Sequence, residues 1–143
     1  MGYTTDFEGH LDLTPNLNDE QAKYINLLGD TRRMRRNPEK LMKLYKGKHG
    51  NPFVKNTQMS ELIYGTQGEF FAMDDGQCGQ KEDESIENYN GSPNTQPGLW
   101  LQWCISDAGA VLEWNGSEKF YSYIEWLKYL IKTFFIPWGI TLN

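Results

Sequence analysis

The chain is poor in the residues that staple small proteins or bind metals. Only two cysteines, Cys78 and Cys104, occur among 143 residues, and they lie far apart. That excludes a disulfide framework and any zinc site of the CxxC type. Two histidines, His10 and His49, leave few general bases that titrate near neutral pH. The HExxH, GxxxxGK[ST] and GxSxG patterns are all missing, so zinc protease, P-loop and nucleophile-elbow chemistry have no support. No apolar run approaches the roughly 20 residues needed to span a bilayer. The opening stretch lacks the basic start and apolar centre of a secretory signal, and a cytoplasmic location is expected. Met1-Gly2 is followed by Asp6 where a myristoylation motif wants Ser or Thr.

Large rings and uneven charge are what the chain does have. Aromatic residues reach 14%, against 38% hydrophobic and 23% charged overall. Such a chain builds a core on rings or uses them to bind. Its length suits a single domain over residues 1–143 with a core of its own. The formal net charge is −5, yet residues 23–48 hold nine of the 14 basic side chains and only two acids. The rest is strongly acidic, most densely at 74–87, where Asp74, Asp75, Glu82, Asp83, Glu84 and Glu87 face only Lys81. A molecule polarised in this way has one region suited to anions and otherwise repels extended nucleic acid.

Hydrophobic periodicity sketches the elements. Residues 3–13 alternate as a first strand, with Gly9 as a bulge. Asn18 with Gln21 makes a capping box, and the stripe Ala22, Ile25, Leu28 predicts a helix from 19 to about 35, weakened at Gly29. Pro38 with Leu41, Leu44 and Tyr45 opens a second short helix. Met59–Tyr64 reads as a helical turn or a short strand. Residues 69–73 read as a strand, and 74–98 as a long polar loop, a kind usually functional or mobile in a compact domain. Leu99–Ile105 carries the strongest strand signal. A turn at Asp107-Ala108-Gly109 returns it through Val111–Trp114 as a hairpin. Asn115 and Glu118 form a second capping box for a helix that Pro137 stops, and Trp138–Leu142 makes a last strand. The pattern predicts an α+β fold: a mostly antiparallel sheet with two or three helices packed on one face.

Three segments together carry a resemblance. They are MGYTTDFEG at residues 1–9, TRRMRR at 31–36, and the pair QPGLWLQW and LEWNGSEKFY at 96–103 and 112–121. With these the chain resembles a family of small proteins, of uncharacterised function, encoded by bacteriophages and bacteria. The resemblance covers about half of the chain and brings no assigned activity or ligand residues. It implies a context, that of a phage-type accessory or counter-defence protein acting on host machinery. It also implies a further strand after the Leu-Asn at 142–143.

Two constellations could carry function. On a helix, Arg32 would share a face with Arg35 and Arg36, with Arg33 pointing elsewhere and Met34 placed toward the core. Arginine forks grip phosphate or carboxylate, and a cluster with few acids nearby favours an anion. The alternative is that these arginines pair with the acidic 74–87 stretch as internal salt bridges. The second constellation is the tryptophans. Trp100 and Gln102 fall on one strand face, and Leu101, Trp103 and Ile105 on the other. One face is core, while the other presents Trp100, and aromatic faces stack nucleobases. Tyr89-Asn90 in the long loop could close over a ligand.

The candidate ligand-binding residues are therefore Arg32, Arg33, Arg35, Arg36, Tyr89, Asn90 and Trp100. No catalytic residue, metal or cofactor is assigned. The expected function is binding rather than catalysis, by inhibition of a host protein or by sequestration of a phosphorylated nucleotide-like ligand. The rival is a small nucleotide-processing enzyme that uses His10 or His49 with a carboxylate. An exposed last strand could pair two copies into a homodimer.

Overall fold

A computed structural model describes residues 10–73, 76–116 and 122–143. The architecture is α+β, with a mostly antiparallel four-stranded sheet, a separate two-stranded ribbon and four helices among the described residues. Strand β1 (His10–Thr14) leads into helix α1 (Asp19–Asp30). The expected capping box is present: the Asn18 carboxamide oxygen accepts from Gln21 N–H at 2.8 Å, and Gln21 answers the Asn18 N–H at 3.0 Å. Helix α1 buries Tyr24, Ile25 and Leu28. It ends at Asp30 and not near residue 35, because Thr31 turns extended and its hydroxyl bonds back to the Leu27 carbonyl at 2.8 Å.

Residues 32–37 form an extended hub after this helix. Backbone N–H groups of Arg32, Arg33, Arg35, Arg36 and Asn37 donate to the carbonyls of Cys78, Leu99, Gly91, Gln67 and Ser85 in turn. Five distant segments thus satisfy five donors that a helix would have satisfied locally. Strand β2 (Arg35–Arg36) pairs antiparallel with β3 (Ile86–Asn88), so the expected 74–98 loop contains a strand. Helix α2 (Pro38–Tyr45) has Pro38 in its first turn and a side-chain cap from Asn37. Helix α3 (Ser60–Tyr64) resolves the ambiguous 59–64 segment as helical. The strand expected at 69–73 does not form. Phe71 and Ala72 are buried there in irregular backbone, and the carbonyls of Glu69 and Phe71 serve Arg33.

Strands β4 (Trp103–Ser106) and β5 (Val111–Trp114) form the predicted hairpin across a single turn of 3₁₀ helix at Asp107–Gly109. Strand β4 starts at 103, later than the apolar run suggested. Helix α4 (Tyr123–Leu130) continues as a π turn over Ile131–Phe135, and β6 (Thr141–Leu142) closes the sheet against β1. Ser122 precedes α4, so Asn115 is not its cap; Glu118 lies outside the described residues, as do Gly9 and the start of the predicted first strand. Sheet order is β4-β5-β1-β6, which makes β4 and β6 the edges among the described residues. The edge of β4 is met by Asn26, whose carboxamide donates to the Ile105 carbonyl at 3.1 Å and accepts its N–H at 2.7 Å.

The main core joins the sheet to α1 and α4 through Ile25, Leu28, Leu101, Trp103, Leu112, Trp126, Leu130 and Phe135. A smaller cluster, Leu41, Ile63, Tyr64 and Phe71, holds α2 to α3. No helix among the described residues is long and apolar enough to cross a membrane.

Candidate functional site

The arginine run splits into two buried and two surface side chains. Arg33 and Arg36 are each 1% exposed, whereas Arg32 and Arg35 reach the surface. Arg33 is caged by backbone: its Nη1 donates to the Leu28 carbonyl, and its Nη2 to the carbonyls of Glu69 and Phe71. Burial lowers its pKa to about 10, with Tyr24 and Tyr129 pulling the other way. Arg36 lies 4.2 Å over the Phe71 ring and forms an ion pair with Asp83 at 3.2 Å. The four guanidinium groups therefore do not share a helix face and do not converge on one ligand. Among the described residues, internal pairing with the acidic stretch is made by Arg36 alone of the four.

Arg32 is placed differently. Its Nε donates to the Tyr89 carbonyl at 3.1 Å and its Nη2 to the Asn90 carboxamide oxygen at 3.2 Å. Its guanidinium carbon lies 4.5 Å from the Tyr89 ring centre and 5.9 Å from that of Trp100. Four of the seven residues nominated from the sequence (Arg32, Tyr89, Asn90 and Trp100) therefore meet at one surface point. Among the described residues Nη1 of Arg32 has no protein partner. Arg35 grips the same loop further on, through the Ser92 carbonyl and Asn94.

Beside this point opens a cavity of about 820 Å³, within the range of small-molecule sites. The end of α1 (Gly29, Asp30), the 97–102 segment, Cys78 and the start of α4 line it. Trp100 belongs to both features: it lines the cavity and carries Arg32 near its ring. Trp126 is 1% exposed and also contributes to the wall. Gly29 sits so near the 97–102 segment that a Cβ there would come 3.0 Å from the Leu101 carbonyl, so two lining segments of the cavity pack closely together. Among the described residues the lining combines the indoles of Trp100 and Trp126 with polar groups and the Asp30 carboxylate, a surface for a flat, polar molecule.

The alternation read from the sequence holds in part. Leu101, Trp103 and Ile105 are buried in the core and Trp100 reaches the surface, but Gln102 is buried too, and Leu99 and Leu101 line the cavity beside Trp100 and Gln102. Gln102 was missed as a candidate residue, although its spacing from Trp100 was the signal. Neither histidine lines the cavity. His10 stands exposed 3.3 Å from Asp12, and His49 packs edge-on against Tyr45, its pKa lowered by burial and by Lys48. Among the described residues no group of three His, Cys, Asp or Glu side chains is placed to hold a metal ion. Compared with protein-family models, curated proteins and solved structures, the chain gives no match.

Proposed function

We propose that this protein binds a small nucleotide-like ligand, placing a planar ring in the cavity beside Trp100 and an anionic group at Arg32. The observation that carries the reading is the double role of Trp100. It lines the cavity, and it borders a surface arginine whose Nη1 has no protein partner among the described residues. A base stacked on an aromatic face gains about 1–3 kcal/mol. A charge-assisted bond from Nη1 adds to it and fixes the position of a phosphate. One surface arginine suits a mono- or diphosphate better than a polyphosphate or a nucleic acid strand, which the net charge of −5 also opposes.

The resemblance of the TRRMRR, QPGLWLQW and LEWNGSEKFY segments to small phage-encoded proteins supports a setting for this binding. A phage accessory protein in the host cytoplasm would act by sequestering a signalling or metabolic nucleotide, without turnover. A second reading, capture of a host protein, is favoured by exposed apolar side chains on and beside α2 and α3, where Leu44, Met59 and Leu62 are 39%, 61% and 48% exposed. Thermal-shift measurements against nucleoside monophosphates and cyclic nucleotides test the first reading. Saturation at about 100 times the dissociation constant adds roughly 2.7 kcal/mol. Stabilisation that Arg32→Ala removes supports it, and indifference to every nucleotide moves the case to a protein partner.

A further inference from the structure

Gln102 is 8% exposed and lines the cavity. Its backbone carbonyl accepts from Asn115 N–H at 2.9 Å, but among the described residues its carboxamide has no hydrogen-bond partner. Its neighbours in sequence, Leu101 and Trp103, turn into the core, and the Trp103 indole donates to the Tyr123 carbonyl at 3.0 Å. The Gln102 carboxamide is not among the buried unpaired polar atoms of the fold, so its donor and acceptor open to the cavity, where a ligand can take the place of water. The contrast with Asn26 is direct. That carboxamide meets the same stretch of chain three residues on, and uses both its donor and its acceptor on Ile105.

We infer that Gln102 reads the edge of the ligand's ring, pairing its side-by-side donor and acceptor with an adjacent acceptor and donor on a planar heterocycle. This role rests on the proposed nucleotide binding and adds what selects the ring. Trp100, two residues before Gln102, supplies the stacking face, and Trp126 lines the same cavity. Among the described residues no lysine or arginine lines the cavity, and Asp30 is its one charged lining residue. The Asp30 carboxylate disfavours an anionic ring and favours a neutral edge. The edges that fit are an amino group beside a ring nitrogen, as in adenine, or a ring N–H beside a carbonyl, as in guanine. A carboxamide can turn over to meet either. A ring without such an edge would leave Gln102 unpaired and would be rejected on that account.

The test is a titration series on the full chain. AMP and GMP are compared with purine riboside 5′-monophosphate, which keeps the ring, sugar and phosphate but lacks both edges, and with ribose 5-phosphate. The wild-type protein should bind at least one of AMP and GMP tenfold or more tightly than purine riboside 5′-monophosphate. Gln102→Leu should erase that difference and leave ribose 5-phosphate binding unchanged. The comparison of analogues needs no variant, so it stands even if Gln102→Leu folds poorly. Equal affinity for the purine riboside and for AMP or GMP would overturn the role of Gln102 while leaving the cavity reading intact. Failure of the wild type to bind any of the four would overturn both.

Discussion

Arg32 holds Tyr89 twice: its Nε donates to the Tyr89 carbonyl at 3.1 Å, and its guanidinium carbon lies 4.5 Å from the centre of the same residue's ring. A cation that anchors a loop by backbone and ring together contributes modestly to stability at a solvent-accessible site, about 0.5–1 kcal/mol for the ring contact. Its larger effect is to fix the loop beside Trp100. Arg32→Ala is therefore expected to cost about 1 kcal/mol in urea unfolding, yet to weaken nucleotide binding tenfold or more in calorimetry. Equal losses in a control ligand bound elsewhere would reveal a general loosening instead.

Arg33 should behave in the opposite way. Its guanidinium satisfies three backbone carbonyls inside the fold. Arg33→Ala leaves them without that donor, and a loss of about 3–5 kcal/mol is expected from chemical denaturation. Arg33→Lys should recover only part of it, because a single ammonium cannot fork across the three acceptors.

Asp83 makes a pH prediction. Burial raises its pKa, but hydrogen bonds from Ser85 and Tyr45 and the charge of Arg36 outweigh it, and the folded value lies below the ordinary 3.8. Its contribution is fully present above the unfolded value and is lost as pH falls through the folded one. Stability measured by urea unfolding should fall as pH drops below about 4, and less steeply in Asp83→Asn. The variant should already be weaker at neutral pH, since Arg36 is 1% exposed and loses its ion pair with Asp83. An unchanged slope would place the acid sensitivity in other carboxylates.

Asn26 closes the edge of β4 through its two bonds to Ile105. Asn26→Leu removes both and should cost about 2 kcal/mol, read as a lower melting temperature. Opening that edge should also promote association through it, seen as a concentration-dependent increase in mass by light scattering.

Much of the fold was legible because its local signals were strong. The Asn18–Gln21 box, Pro38 in the first turn of α2 and the hairpin turn at 107–109 all stand where sequence chemistry put them. Gly109 explains the last: at φ +90° it passes so close to Leu17 that any Cβ would collide with its carbonyl. The failures have a common cause. Residues 32–36 look helical locally, but their backbone donors are claimed by segments as distant as the Leu99 carbonyl, which no periodicity reveals. The apolar Phe70-Phe71-Ala72 run looks like a strand, yet the Phe71 carbonyl serves a buried arginine instead of a ladder. At the site, Arg32, Tyr89, Asn90 and Trp100 were nominated separately and meet. The identical-looking Arg33 and Arg36 turn inward with Met34 between them, in an extended segment whose register shifts between Arg35 and Arg36, an irregularity that local periodicity does not announce.

The most direct test of nucleotide binding is isothermal titration of ligand-free protein with AMP and GMP, beside Arg32→Ala and Trp100→Ala. Saturable one-to-one binding of at least one nucleotide is expected, weakened tenfold or more by each substitution while both variants unfold cooperatively. Absence of binding to the wild type, or binding that neither substitution weakens, would contradict it.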